Sequence, residues 1–212
     1  MSEASERRTN KRSLIIEAAV EVFAERGFHQ ARVSDVARRA GVADGTIYLY
    51  FRNKEDLLLS IFEEKMDILL ASLGEILEGV HDPIERIRRF THFHFDQVRV
   101  NRLAAEVLQV ELRLSNKFMK EYRPEKLWSY LGVFGQIVRD GQAQGLFRPN
   151  IDPFIAMWSF FGAMDELAMQ WVLSKKGDRF SLDAAAVQVA ETFIRGMLVD
   201  DPAVKTKNEE VS

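Results

Sequence analysis

Between Arg32 and Lys54 the chain gathers side chains suited to gripping a polyanion. The run Gly45-Thr46-x-Tyr48-x-Tyr50-Phe51-x-x-Lys54 sets a threonine, two tyrosines and a lysine close together. A tyrosine on a short surface helix is costly unless something covers it. Its hydroxyl reaches a phosphate while its ring lies on the sugar backbone. Gly45 clears a side chain from a helix start, where the helix dipole favours phosphate. Thr46 can donate to phosphate or touch a thymine methyl. Arg32 brings charge, Ser34 lies on the outer surface, Asp44 can cap the helix it opens, and Lys54 is placed to pin the backbone. Arg32, Ser34, Asp44, Gly45, Thr46, Tyr48, Tyr50 and Lys54 are therefore the expected contacts to double-stranded DNA. Arg7, Arg8, Lys11 and Arg12 form a basic arm expected to lie along the duplex.

The elements that must hold these groups are helices. Leu14, Ile15, Ala18, Ala19, Val22 and Phe23 share one helical face. Asn10 or Ser13 is the expected cap, and Gly27 the stop. A short helix over 33–40, a turn at Gly41 and a helix from Asp44 to about Phe51 follow. Val33, Val36, Ala37, Ala40, Val42 and Ile47 close a small core with Phe23, which is a helix-turn-helix at about 32–51. A fourth helix starts at the cap Asn53 and runs to about Glu78. Asp82-Pro83 and Asp152-Pro153 each read as a cap followed by a first-turn proline. They open helices to about Val100 and Ser174. Helices are also expected over 101–114, over 117–144 with a bend near Pro124, and from Ser181 to about Val199. The fold class is all-α, about nine helices, with no defensible strand. The expected division is an arm at 1–10, a DNA-binding domain at 11–56, a ligand-binding and dimerisation domain at 57–200 and a disordered tail at 201–212.

The larger part is rich in aromatic and sulfur side chains. Most must fill a core, but some can line an apolar ligand tunnel. Phe90, Phe93, His94, Trp128, Leu131, Phe134, Phe161, Met164 and Asp165 are the candidate lining, with Arg102 and Arg113 as cations for ligand phosphates. Gly132 and Gly135 within a helical run suggest a close crossing or cleared volume. His92-Phe93-His94 does not read as a metal site, because residues i and i+2 of a helix point about 200° apart.

Composition narrows the class. The chain has 212 residues, 47% of them hydrophobic, and a net charge of −3. Residues 1–54 hold ten Lys/Arg against seven Asp/Glu, and the remainder nineteen against twenty-five. A basic end on an acidic body suits a protein that meets phosphates at one end only. With no cysteine, disulfides and thiolate chemistry are excluded. No leader and no apolar run of membrane length is visible, so a cytoplasmic protein without membrane association is expected.

The block from Leu14 to Leu58 resembles the DNA-binding domain of TetR-family transcriptional regulators. The matching residues are Ala18-Ala19, Phe23, Gly27-Phe28, Val36-Ala37, Ala40-Gly41-Val42, Gly45-Thr46-Ile47-Tyr48, Tyr50-Phe51, Lys54-Glu55 and Leu57. Two departures stand out. Ala31-Arg32 replaces the threonines of many members, and Ala43 a common capping serine. The run from Val42 to Phe51, with 109–116, Asp165-Glu166 and Trp171-Val172, is similar to FadR-type fatty-acid-degradation repressors. The resemblance implies a homodimer through helices around 153–174 and 181–199, a pseudo-palindromic operator and release by long-chain acyl-CoA. It implies no cofactor and no enzyme activity. A regulator answering an aromatic or drug-like ligand and controlling an efflux pump is the alternative within the class. An acyl-CoA-binding enzyme and a DNA-bending structural protein are the alternatives outside it. No nucleophile–base spacing supports the enzyme, and low basicity counts against the bending protein.

Overall fold

The computed structural model describes residues 3–112, 122–174 and 180–199. Among them are nine α-helices and no strand. The first, α1 (Glu3–Arg26), begins well before the expected caps Asn10 and Ser13. No proline or glycine interrupts residues 3–26, so nothing stops the helix from extending back through the expected arm. Gly27 ends it at φ 73°. Then come α2 (Val33–Arg39) and α3 (Asp44–Tyr48). Between them Gly41 takes φ 66°, a conformation open to glycine at little cost. The third helix stops at Tyr48, shorter than the expected Phe51.

The longer helices follow their caps. In α4 (Lys54–Leu77) the Asn53 side chain accepts from Asp56 N at 2.8 Å. In α5 (Pro83–Val100) Asp82 accepts from Ile84 N, with Pro83 in the first turn. Asn101 leads into α6 (Arg102–Glu106), which widens into a π-helical turn over Val107–Glu111. The expected continuation to 114 and the helix start at 117 lie outside the described residues; α7 (Glu125–Ala143) begins after Pro124. Asp152 caps α8 (Pro153–Leu173), and Ser181 caps α9 (Leu182–Met197).

Two packed groups share one apolar core. Helix α1 lies against α2, α4 and α6, while α5, α7, α8 and α9 form the body, and α4 joins the two by packing on α1, α5 and α7. Ile15, Ala19 and Phe23 meet Val36, Ala37, Ile47, Phe51 and Leu57 in the first group, all fully buried. Leu14, expected on that face, is half exposed. In the body, Phe134 stacks on Phe160 at 3.7 Å, and Phe90 meets Phe160 and Tyr130 edge-on. Gly141 is needed for close approach, because a Cβ there would stand 2.1 Å from the Phe147 ring. Among the described residues no helix is long and apolar enough to cross a membrane.

Candidate functional site

The first candidate surface is the edge of α2 and α3. Tyr48 is 58% exposed, and Leu49, Gly45 and Asp44 are exposed beside it. Ser34, Thr46 and Tyr50 are half-buried at the same edge, and Arg32 is exposed next to Ser34 at the start of α2. Gly45 has ordinary backbone geometry, and a Cβ built on it would meet nothing within 4 Å. Nothing inside the chain requires a glycine there. Arg8 stands over the Tyr50 ring at 6.0 Å and Arg12 over Phe51 at 5.4 Å, so the first turns of α1 lie behind this edge.

The helix starts are held in ways the sequence did not suggest. Ala43 is the N-cap of α3 and offers no side-chain bond; Asp44 is the first helical residue and not the cap. At α2 the Arg32 N–H donates to the Asp35 carboxylate at 3.2 Å. That carboxylate also pairs with Arg26 at 3.1 Å and Arg38 at 3.4 Å. Asp35 thus makes the half of a capping box that reaches back to the helix start, while the half a threonine at position 32 would make, accepting from the Asp35 N–H, has no counterpart in the Arg32 side chain. Arg39 joins Glu21 at 2.6 Å and Glu25 at 2.7 Å, tying α2 to α1 and holding the Glu25 carboxyl below its usual range.

Lys54 differs from its expected role. Its ammonium donates to the carbonyls of Phe28 at 2.6 Å, His29 at 3.1 Å and Ala31 at 3.1 Å. It also lies 4.5 Å from the Phe28 ring centre. All three donors of the ammonium are used. The first residue of α4 therefore clamps the α1–α2 turn from within.

The second candidate site is an apolar cavity of about 140 Å³ between α4, α5 and α6. Ile68 and Leu69 line it from α4, Val98 and His94 from α5, and Ala104 and Ala105 from α6. Leu108 and Gln109 of the π turn close one side, and Lys65, Gln97 and Asn101 supply polar groups. A π turn widens the helix locally and often marks a functional position. His94 is buried, and its Nδ1 meets the Tyr130 hydroxyl at 3.0 Å. Burial pushes the imidazole down to about 4, so it is neutral near pH 7, and pushes the Tyr130 phenol up.

Of the described residues expected to line a pocket, only His94 reaches this cavity. Phe90, Leu131, Phe134 and Met164 are sealed in the core, with Phe93 nearly so. Trp128 is 49% exposed and sits against Phe154 and Trp158 on the outside of α7 and α8, with Phe161 touching Trp158. Arg102 donates to the carbonyls of Val172 and Ser174 at 3.2 and 3.0 Å and lies over Trp171. It closes the end of α8. Asp165 is half-buried on α8, outside the cavity lining. Arg113 lies outside the described residues. Gly135 sits at ordinary contact distance from Met157, at the α7–α8 crossing and not at a void. His92 is exposed and His94 buried, on opposite faces as their spacing requires. No group of three or more metal-ligating side chains occurs among the described residues. The cavity wall that sequence reasoning missed is made of small aliphatic residues: Ala104-Ala105 and the Ile68-Leu69 pair carry no chemical signal of their own.

A three-helix DNA-reading head on a helical body with an apolar cavity open to one side is the architecture of a transcriptional regulator that senses a small molecule. Residues 15–61 match the family model for bacterial regulatory proteins of the tetR family, and residues 62–196 match that for the YsiA-like protein C-terminal region. The chain belongs to the TetR family, whose members are regulators and not enzymes. It is similar to the fatty acid metabolism regulator protein of Bacillus subtilis, 38% identical over 183 residues, covering 86% of this chain and 93% of the relative. It is also similar to the crystal structure of the B. subtilis transcriptional regulator FadR in complex with stearoyl-CoA, with a TM-score of 0.81 and 38% identity over 87% of this chain and 98% of that one. The fatty acid degradation regulator FadR of Bacillus halodurans gives the same TM-score, 0.81, at 38% identity, covering 88% and 95%.

Proposed function

We propose that this regulator is a dimeric repressor of fatty-acid-degradation genes that leaves its operator when long-chain acyl-CoA enters the body. The observation that carries this is the aliphatic cavity walled by α4, in a chain 38% identical to a regulator that holds stearoyl-CoA. The lining also speaks against the aromatic-ligand alternative. The large rings of the body are packed against one another, and Ile68, Leu69, Val98, Ala104, Ala105 and Leu108 face the void instead. Such walls suit methylenes, each worth about 0.8 kcal/mol when buried.

The mechanism follows from what α4 touches. An apolar cavity of about 150 Å³ holds a molecule the size of benzene, and this one, about 140 Å³, is too small for a long acyl chain. Entry of the chain parts α4 from α5 and α6. The cavity residue Lys65 is about 16 Å along α4 from Lys54, and Lys54 grips the α1–α2 turn through three carbonyls. A shift of α4 therefore carries the DNA-reading edge with it. Helix α1 packs on α6 and provides a second path. Lowering operator affinity ~100-fold takes a coupling of about 2.7 kcal/mol.

In this reading residues 11–56 form the DNA-binding domain, and 57–200 bind ligand and pair two subunits in the cytoplasm. Arg32, Ser34, Asp44, Gly45, Thr46, Tyr48 and Tyr50 face the operator, while Lys54 acts behind them. Pairing uses α8 and α9, which leave Phe154, Ile155, Trp158, Leu173 and Val187 exposed. A duplex selected from a random library provides the operator for the test. Fluorescence anisotropy should record release by micromolar palmitoyl-CoA and none by free CoA. If the duplex stays bound at saturating palmitoyl-CoA, the effector assignment is wrong while the DNA-binding assignment stands.

A further inference from the structure

Among the described residues of the cavity wall, a buried side-chain nitrogen has no protein partner. His94 Nε2 is buried and makes no hydrogen bond among the described residues. The other ring nitrogen is taken by Tyr130 at 3.0 Å, so Nε2 points away from that contact, on the ring of a residue that lines the cavity. A buried polar atom without a partner destabilises the state that leaves it so. Such an atom calls for an explanation, and on the ring of a cavity-lining residue a bound acceptor supplies one.

The tautomer can be assigned by counting donors. If Nδ1 carries the proton, it donates to the Tyr130 oxygen, and the phenolic O–H is left without an acceptor while Nε2 remains a bare acceptor. If Nε2 carries the proton, Tyr130 donates to Nδ1 and one group alone stays unmet, the Nε2–H. The second arrangement leaves fewer buried groups unsatisfied. His94 therefore holds a buried donor at Nε2, on a ring that lines the cavity, and the partner it lacks is an acceptor. Among the polar groups of the wall, Asn101 already donates to Gln97 at 3.1 Å.

We propose that His94 Nε2–H donates to the thioester carbonyl oxygen of the acyl effector, with Tyr130 as the positioning residue that fixes the imidazole tautomer. This rests on the acyl-CoA reading given above. A saturated acyl chain has no other acceptor to bring into an apolar cavity. The contact makes the site selective for an acyl thioester over a hydrocarbon tail of equal length. It also satisfies the buried Nε2 that the described protein groups leave unmet.

The test compares palmitoyl-CoA with S-hexadecyl-CoA, in which a methylene replaces the carbonyl, by isothermal titration calorimetry on the full chain. The wild type should bind the thioester about tenfold more tightly, the size of one hydrogen bond to a buried donor. In His94→Phe, which keeps a ring in the same space, the two ligands should bind alike. Tyr130→Phe should lower the preference without removing it. His94→Gln retains an N–H and should keep part of it, so the question remains answerable if the phenylalanine variant does not fold. Equal affinities in the wild type, or a tenfold preference that survives in His94→Phe, overturn the assignment. If neither ligand binds the wild type, the acyl-CoA reading itself falls and this contact with it, an outcome distinct from equal binding.

Discussion

At the scale of the residue, the sharpest contrast is between Tyr48 and Tyr50. Tyr48 is 58% exposed, whereas Tyr50 is half-buried under Arg8. Replacing Tyr48 with alanine should reduce operator affinity about tenfold, the value of one phosphate-directed hydrogen bond, and leave the melting temperature unchanged. Tyr50→Ala should lower both. Anisotropy and thermal melts separate the two effects; full affinity in Tyr48→Ala would remove this tyrosine from the DNA contact. His94 gives a pH prediction. Its value is pushed down to about 4 by burial against Tyr130 and the cavity wall, on which Lys65 is the charged group. Between about 4 and an unfolded value near 6.5 the unfolded chain binds the extra proton. Stability from this residue is therefore full above about 6.5 and falls as pH drops toward 4, by an amount on the order of 3 kcal/mol. Urea melts at pH 7 and 5 should show the loss, and His94→Phe should flatten it. At this scale the sequence was legible where a residue's exposure follows from its helix face, as for Tyr48 and Gly45. It was not legible for Lys54, since its three acceptors are backbone carbonyls more than twenty residues earlier, and a clamping lysine looks like any other.

At the scale of the element, the side-chain caps Asn53, Asp82, Asp152 and Ser181 could all be read in advance, because a cap is a local matter of an oxygen and the N–H groups just beyond it. The cavity could not be read. It depends on which apolar faces of α4, α5 and α6 meet imperfectly, and the aromatic residues that looked like a tunnel filled one another's gaps instead. The role of α4 leads to two predictions. Lys54→Met removes three hydrogen bonds to backbone carbonyls, two of them partly buried, with an expected loss of about 2 kcal/mol, or roughly 4–8 °C for a chain of this length. Its second effect is the more specific one. With the clamp gone, saturating palmitoyl-CoA should still bind but release the operator less completely. Binding and release measured on the same variant decide this; unchanged release would place the coupling on the α1–α6 contact. Chain length offers the other check. Hexanoyl-CoA occupies little more than the existing void and should bind weakly with no release, whereas acyl chains of sixteen carbons should displace α4. A six-carbon effector that releases DNA at saturation would mean that the head does not respond to the parting of α4 and α6.

At the scale of the whole molecule, one head reads one half-site, and affinity for a pseudo-palindrome depends on holding two heads about 34 Å apart. The pairing proposed above uses the exposed apolar residues of α8 and α9. Ile155 is 65% and Val187 50% exposed, so neither contributes much to the fold of a single chain. Changing both to glutamate should therefore leave the melting profile of the subunit nearly intact while placing like charges in the subunit contact. Sedimentation at micromolar concentration should then show a species of one chain, where the unaltered protein gives two. Operator affinity should fall by about 100-fold or more, because the second head no longer binds at the raised local concentration its partner provides. The affinity of the isolated half-site, measured on a duplex carrying one copy, should not change. That pair of results distinguishes loss of pairing from damage to the reading edge, since an altered α2–α3 edge would weaken both duplexes equally. A monomeric variant that still bound the full operator with undiminished affinity would show that the spacing of two heads is not what the effector disturbs. The motion of α4 would then have to act within a single head, on the Lys54 clamp alone.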